Sequence, residues 1–189
     1  MVGSIMSCSA DEYKELAGQQ RPEYVIVGND PYPKNAMGIA FCKESWKKLK
    51  RKNESGYHLL NALGIDIAKA EIKFPDNASD FFCLMLEKGL VFWNASEIKS
   101  LISLGLPSNS IKSIICGPEA EKCFRNSAFL ELCNTFPFYI PRHPCPQGAD
   151  FIWEKFWSTK GILIKQLISI YKNTDDLANI IETINNALI

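Results

Sequence analysis

The segment from residue 24 to residue 42, YVIVGNDPYPKNAMGIAFC, decides the fold. Its first four residues, 24–27, form an apolar run that predicts a buried strand, and Gly28 ends the run. Asp30 and Tyr32 follow in a loop stiffened by two prolines. A strand that ends this way delivers its loop to the carboxyl edge of a parallel sheet, where such sheets bind ligands. The loop alone leaves two interpretations open, because Asp30 is either a turn former or a fixed functional carboxylate.

Further apolar runs predict more strands, and helical patterns separate them. The predicted strands cover residues 24–27, 90–93, 111–116 and 136–140. The predicted helices cover residues 10–18, 57–63 with Ser55 as the N-cap, 79–88 and 118–126, one broken or two successive helices over 150–172, and a terminal helix over 175–189. Strands that alternate with helices predict an α/β fold: a three-layer sandwich with a central, mainly parallel four-stranded sheet.

Composition predicts a single domain over residues 1–189. A chain of 189 residues with 47% hydrophobic residues can bury a sizeable core. The formal charge is zero, from 21 basic and 21 acidic residues, so any site for a polyanion must be local. The seven cysteines include no CxxC pair, which favours reduced thiols over a disulfide framework. With neither a leader peptide nor a membrane span in the sequence, we expect a cytoplasmic monomer.

A basic run lies between Lys43 and Lys52, where six basic residues are interleaved with Trp46 and Leu49. Most charge runs are solvated faces of a helix. The alternative is a patch that faces the phosphates of a nucleic acid. The sequence leaves both interpretations open.

Polar residues follow the other predicted strands as well. Asn94 ends the strand at 90–93, and His143 follows the strand at 136–140. Together with Asp30, they form a carboxylate, amide and imidazole set that can position water, read the edge of a heterocycle and stabilise a developing anion. The sequence contains no GxSxG elbow, so a serine triad is not expected. It contains neither a cluster of histidines nor paired cysteines, so neither a metal site nor an iron-sulfur site is expected. Structural alternatives remain: Asn94 as a helix cap and His143 as a loop residue bonded to the backbone.

The motifs GNDPYP, GIAFC, LVFWN and HPCPQG stand in the order in which classical uracil-DNA glycosylases carry GQDPYH, GLCFS, LLLN and HPSPLS. The chain resembles that family over residues 24–171, where SGYHLLNAL and FWSTKGILIKQL look like two further family segments. The resemblance implies that the protein flips a uracil out of DNA and hydrolyses its glycosidic bond. No cofactor or metal is expected.

The resemblance also implies a role for each strand-end residue. Asp30 would align the attacking water and stabilise positive charge on the sugar. His143 would donate a hydrogen bond to a uracil carbonyl oxygen as the base departs. Asn94 would pair its amide with the uracil N3 hydrogen and O4, which rejects cytosine because donor and acceptor are exchanged on that edge.

The family pattern further implies that Phe41 stacks on the base and that Tyr32 excludes the thymine methyl group. Phe41 has a structural alternative as a core aromatic. Asn29 would lie in the base pocket, where the family has glutamine. Pro33 replaces the family histidine, and the loop before Gly38 is two residues shorter. The floor of the pocket is therefore expected to differ.

Residues that the resemblance assigns to DNA binding depart from the family more strongly. They are Ser55, Gly117, Arg142, Cys145 and Gln147. Of the three family serines that grip phosphates, only the one at Ser55 is kept, because proline follows Gly117 and Cys145 replaces the third. Gln147 stands in place of the leucine wedge. Since a base outside a duplex costs less to flip, we expect single-stranded DNA to be the better substrate, with duplex DNA also possible.

Two alternatives follow from these departures. The protein is either a superfamily glycosylase for another modified base or a binding module for DNA or protein without catalysis. Pro33 and the shortened loop motivate the first alternative. Zero net charge and the lost phosphate donors motivate the second.

Overall fold

The computed structural model describes residues 8–20, 22–28, 37–51, 54–104, 111–126, 138–140 and 176–189. A parallel sheet forms its centre, with β1 at Tyr24–Gly28, β2 at Leu90–Asn94 and β3 at Lys112–Cys116. β1 lies between the other two strands. The mixed α/β fold with a parallel sheet that the sequence predicts is confirmed.

The register aligns the strand ends that carry the polar motifs. Val25 pairs with Val91 on one side and with Ser113 on the other. At the carboxyl edge, Gly28 lies opposite Asn94. A short strand β4, Phe138–Ile140, pairs in parallel with β3. It lies within the predicted strand at 136–140, whose first two residues are outside the described ranges.

Helices cover much of the remaining described chain. They are α1 (Ala10–Gln19), α2 (Trp46–Leu49), α3 (Ser55–Leu63), α4 (Ile67–Lys73), α5 (Ala78–Glu87), a 3-10 turn (Ala95–Glu97) that leads into α6 (Ile98–Ser103), α7 (Pro118–Arg125) and α8 (Asp176–Ala187). The predicted helices at 10–18, 57–63, 79–88, 118–126 and 175–189 correspond to α1, α3, α5, α7 and α8. The prediction at 150–172 lies outside the described residues.

The start of α3 differs from the sequence prediction. Glu54 is the N-cap, and Ser55 is the first helical residue rather than the cap. The Glu54 carboxylate makes no capping hydrogen bond and instead pairs with the Lys43 ammonium at 2.9 Å. That ion pair with the basic segment holds the helix start where it is.

Long-range contacts tie both ends of the described chain to its centre. The Tyr13 hydroxyl on α1 accepts a hydrogen bond from the Phe92 backbone N–H at 2.9 Å. On α8, the Asn185 side chain accepts from the Asp66 N–H and donates to the Gly64 carbonyl, both at 3.0 Å. The terminal helix is therefore part of the packed domain.

The cysteines correct one expectation. Cys8, two residues before α1, forms a disulfide with Cys83 on α5, and their Cα atoms are 6.8 Å apart. The prediction that all thiols are reduced is therefore wrong for this pair. Their separation of 75 residues leaves no local spacing signal. It is the packing of α1 against α5 that brings them together.

Within the described ranges, no helix has both the length and the apolar character that a membrane crossing requires.

Candidate functional site

The carboxyl edge of the sheet gathers the described candidate residues. Along the sheet β2 and β3 lie on opposite sides of β1, so the direction of the strand order reverses beside β1. Open α/β sheets bind their ligands at such a reversal, outside the carboxyl ends of the strands. Gly28 and Asn94 end adjacent strands there, and the GIAFC segment, residues 38–42, folds against both.

Asn94 is held by two acceptors. Its side chain is 1% exposed, and its Nδ2 group donates to the Gly38 carbonyl at 2.8 Å and to Glu97 Oε2 at 3.1 Å. The side chain makes no capping bond to the 3-10 turn that follows. The interpretation of Asn94 as a mere helix cap is therefore wrong.

The other end of the same amide has no hydrogen-bond partner among the described residues. Asn94 Oδ1 is buried and accepts no hydrogen bond from any of them. A buried acceptor without a donor costs about 1 to 3 kcal/mol, so native proteins rarely keep one without a reason. An incoming N–H group would satisfy it. The site thus has a fixed, buried acceptor that no donor of the described residues satisfies.

Phe41 lies over Gly28, the strand neighbour of Asn94. Its ring covers Gly28, where a Cβ atom would come within 2.6 Å of two ring carbons. The same ring meets Phe92 edge to face, with centroids 6.2 Å apart. Phe41 is half-buried, so it is neither a fully enclosed core aromatic nor a free surface side chain. Phe41 and Asn94 thus lie at the same edge of the sheet, linked through Gly28, and their predicted roles in base binding stay predictions.

The backbone of Phe41 is unusual. Its φ angle is +65°, in the left-handed region that non-glycine residues seldom adopt. Such conformations persist where the surrounding structure determines them, and they concentrate at functional sites. Gly56 on α3 provides that support, because its Cα packs directly against the Phe41 carbonyl.

We expect Gly56→Ala to lower the free energy of unfolding by about 3 kcal/mol. The added Cβ would lie 2.0 Å from the Phe41 carbonyl oxygen and 2.8 Å from a Leu49 methyl carbon, and the backbone atom has little room to move. Urea unfolding followed by circular dichroism measures the change.

Gly64→Ala is the matched control for that substitution. A Cβ at Gly64 meets nothing within 4 Å, so only the left-handed φ of +82° opposes it. That conformational cost is about 1 to 2 kcal/mol. Equal destabilisation by the two substitutions would contradict the packing of Gly56 against Phe41.

Two predicted DNA contacts fall within the described chain. Ser55 begins α3 and is 8% exposed, so little of its side chain faces solvent. Gly117 follows β3 and is the N-cap of α7, with a φ angle of +95° that favours glycine. Pro118 occupies the first position of that helix, as the sequence predicts. Ser55 thus lies at the start of α3, and Gly117 lies at the start of α7, directly after β3.

The remaining predicted site residues lie outside the described residues. They are Asn29, Asp30, Tyr32, Arg142, His143, Cys145 and Gln147, together with Pro33. Their roles stay predictions from the sequence.

Three of the six basic residues in the run have acidic partners. Lys43 pairs with Glu54, Lys48 pairs with Glu44, and Lys50 pairs with Glu71 at 2.6 Å. Trp46 and Leu49 are buried residues of α2, a short helix that is absent from the sequence predictions. These pairings favour the interpretation of the run as a helix face over that of a phosphate-facing patch.

Two thiols at the site edge are poor nucleophiles. Cys42 follows Phe41, and Cys116 ends β3; both are buried. Burial raises the pKa of each thiol far above its ordinary value, because a thiolate loses its hydration there. Neither group is suited to covalent catalysis.

Alkylation is expected to modify Cys123 and to spare Cys42 and Cys116 in the native protein at pH 8. Cys123 is exposed, whereas a raised pKa and burial keep the other two thiols protonated and inaccessible. Iodoacetamide labelling followed by peptide mass spectrometry measures each position, and labelling in denaturant is the control. Equal native labelling of Cys42 and Cys123 would contradict the burial.

An open depression of about 470 Å³ lies at the opposite edge of the sheet. Its lining includes Glu23, Lys88, Gly89 and Asn179. Gly89 precedes β2, whereas Asn94 ends it, so the depression is at the amino ends of the strands. It contains none of the predicted site residues, and the free acceptor of Asn94 is a stronger indication of function than the volume of this depression.

Sequence reasoning missed the residues that hold Asn94. Glu97 lies three positions after it, and Lys14 on α1 pairs with Glu97 at 2.6 Å. The Asn-x-x-Glu spacing at the end of a strand was the available signal for Glu97. Nothing local marked Lys14, which lies 83 residues away.

The sequence matches no protein-family model, and it matches no curated protein. The class of protein therefore rests on the motifs and on the site that the described residues form.

Proposed function

We propose that the protein is a DNA glycosylase of the uracil-DNA glycosylase superfamily that flips uracil out of DNA and hydrolyses its N-glycosidic bond. In this proposal the whole chain is one three-layer domain around a four-stranded sheet. It acts as a cytoplasmic monomer in base excision repair and needs no cofactor.

The observation that carries the proposal is the buried Oδ1 of Asn94, which accepts no hydrogen bond from the described residues, on the strand end next to Gly28, which the ring of Phe41 covers. Uracil has a ring N–H that such an acceptor can bind and a flat face that an aromatic ring can stack on. Cytosine has an unprotonated nitrogen at the same ring position, which would face the oxygen without a proton to share. An acceptor fixed in a dry site would therefore select uracil.

The chemical step is assigned to two residues by their motifs. The Asp30 carboxylate, two positions after Gly28, would align water toward the sugar C1′ and offset the positive charge that develops as the glycosidic bond breaks. His143 would stabilise the departing base by a hydrogen bond to its carbonyl oxygen. Asn29 and Tyr32 would complete the base pocket, with Tyr32 against the C5 position.

DNA binding would be weak and local. Ser55 and the N-terminus of α7 at Gly117 would offer backbone and hydroxyl donors to phosphates. The motifs also assign DNA contacts to Arg142, Cys145 and Gln147. Because Lys43, Lys48 and Lys50 already have acidic partners, their contribution to phosphate binding would be small.

The test is release of free uracil from a single-stranded oligonucleotide that contains one uracil. The wild-type protein is compared with Asp30→Asn and His143→Ala, and the base is quantified by mass spectrometry. Release by the wild type well above both variants supports the proposal. Wild-type release no faster than that of the variants would refute it.

A second candidate is a glycosylase for another modified base. The acceptor Asn94 Oδ1 suits these bases as well as it suits uracil, since hypoxanthine and xanthine also carry a ring N–H next to a carbonyl group. Pro33 and the shortened loop change the part of the pocket that would distinguish these bases. Assays with thymine, hypoxanthine, xanthine and hydroxymethylated pyrimidines separate the candidates, and excision of uracil alone would eliminate the second.

A further inference from the structure

The amide of Asn94 has a fixed orientation, and Glu97 is one of the two groups that fix it. Nδ2 faces the Gly38 carbonyl at 2.8 Å and Glu97 Oε2 at 3.1 Å. Both partners are acceptors, so a turn of the amide by 180° would point Oδ1 at two oxygens. The geometry therefore excludes the reversed amide for as long as both acceptors stay in place.

Glu97 is itself anchored on both its side chain and its backbone. The Lys14 ammonium binds its other carboxylate oxygen, Oε1, at 2.6 Å. Its backbone carbonyl accepts hydrogen bonds from Trp93 Nε1 at 2.8 Å and from Ser100 Oγ at 2.6 Å. With its backbone and one carboxylate oxygen held, Glu97 can present the second oxygen in only one place.

The side chains of Lys14 and Glu97 are 29% and 33% exposed, so this ion pair is only partly screened by water. A charged acceptor binds an amide N–H more strongly than a neutral carbonyl does. Lys14 in turn keeps the Glu97 carboxylate from rotating toward solvent. The three residues form a chain from α1 to the candidate base site.

We propose that Glu97, held by Lys14, is the positioning residue that determines base specificity, because it keeps Asn94 Oδ1 directed toward the ligand as an acceptor. This inference rests on the proposed function and extends it by naming the source of discrimination. The site accepts a heterocycle with a ring N–H, such as uracil, and rejects cytosine. Glu97 does not touch the base.

Glu97→Gln tests the inference while it preserves the size of the side chain. If the glutamine oxygen stays on Lys14, its NH₂ group faces Asn94 Nδ2, and two donors oppose each other. The Asn94 amide then reverses in part of the molecules. We expect free uracil to inhibit uracil release about 10-fold more weakly than in the wild type, and we expect inhibition by free cytosine to appear.

Inhibition constants for the two free bases are measured with the full-length protein and a single-stranded uracil oligonucleotide. Glu15→Gln is the matched control, because Glu15 is an exposed residue of α1 whose side chain accepts a long hydrogen bond from Gln19 at 3.4 Å and no other from the described residues. It should leave both constants unchanged. Lys14→Met is the second variant, with a smaller change in the same direction, about threefold.

Partial unfolding would lower the rate of uracil release without changing either inhibition constant, whereas the ratio of the cytosine constant to the uracil constant reports the orientation of the Asn94 amide. An unchanged ratio in active Glu97→Gln and Lys14→Met would overturn the inference and leave the proposed function intact. A wild-type protein that releases no uracil would overturn the proposed function and the inference with it. The inference is supported if the ratio of the cytosine constant to the uracil constant falls in Glu97→Gln and in Lys14→Met but stays unchanged in Glu15→Gln.

Discussion

Asp30→Asn is expected to release uracil about 1,000-fold more slowly than the wild type. The substitution keeps the shape of the side chain and removes its negative charge. Bond cleavage at C1′ leaves positive charge on the sugar, and a neutral amide neither stabilises that charge nor orients water as a proton acceptor. Single-turnover release with protein in excess over oligonucleotide measures the chemical step.

Asp66→Asn is the control for that loss of charge. Asp66 caps α4, where its Oδ1 accepts from the Lys69 N–H at 3.0 Å, and asparagine is an equally good N-cap. We expect a rate within about twofold of the wild type, since exposed ion pairs such as Asp66 with Lys69 contribute little. An Asp30→Asn rate above a tenth of the wild-type rate would show that this carboxylate does not carry the reaction.

Asn94→Ala is expected to slow uracil release by about 100-fold or more, because the pocket loses its acceptor for the ring N–H. The substitution also leaves the Gly38 carbonyl and the Glu97 carboxylate without this donor. We therefore expect a loss of about 1 to 3 kcal/mol in the free energy of unfolding as well. Rates must be measured well below the unfolding transition, so that only folded molecules are compared.

Asn61→Ala removes the same amide from an exposed position on α3, where Nδ2 donates to the Tyr57 carbonyl at 3.0 Å. Its rate of release should equal that of the wild type. If Asn94→Ala remained as active as Asn61→Ala, the assignment of Asn94 to base recognition would be wrong.

The sequence predicts the sheet well, because the signals for its strands are local. Strands buried on both faces need continuous apolar runs, and residues 24–27 and 90–93 are such runs. The glycine and asparagine that end them lie side by side in the sheet, as their motifs require.

The supports of the site could not be predicted, because they depend on contacts distant in sequence. Gly38 accepts the Asn94 amide across 56 residues, and Lys14 reaches Glu97 across 83 residues. The support that Gly56 gives to the left-handed Phe41 is likewise a product of packing. No periodicity or spacing in the sequence records such contacts.

Short helices and the disulfide were missed for related reasons. α2 spans only Trp46–Leu49, so its two buried residues are too few to show a helical period against a run of lysines. The sequence does not show that three lysines of that run pair with acidic residues, which are Glu44, Glu54 and Glu71. The Cys8–Cys83 bond depends on the packing of α1 on α5, which single cysteines in the sequence do not indicate.

The central claim is that the edge formed by Asn94 and Phe41 selects uracil for excision. The most direct measurement compares single-turnover release of free base from two single-stranded oligonucleotides that differ only in carrying uracil or cytosine at one position. We expect that the wild type releases uracil, that cytosine stays in the strand, and that Asp30→Asn releases neither at a comparable rate. Release of cytosine as fast as uracil, or no release of uracil above the Asp30→Asn level, would contradict it.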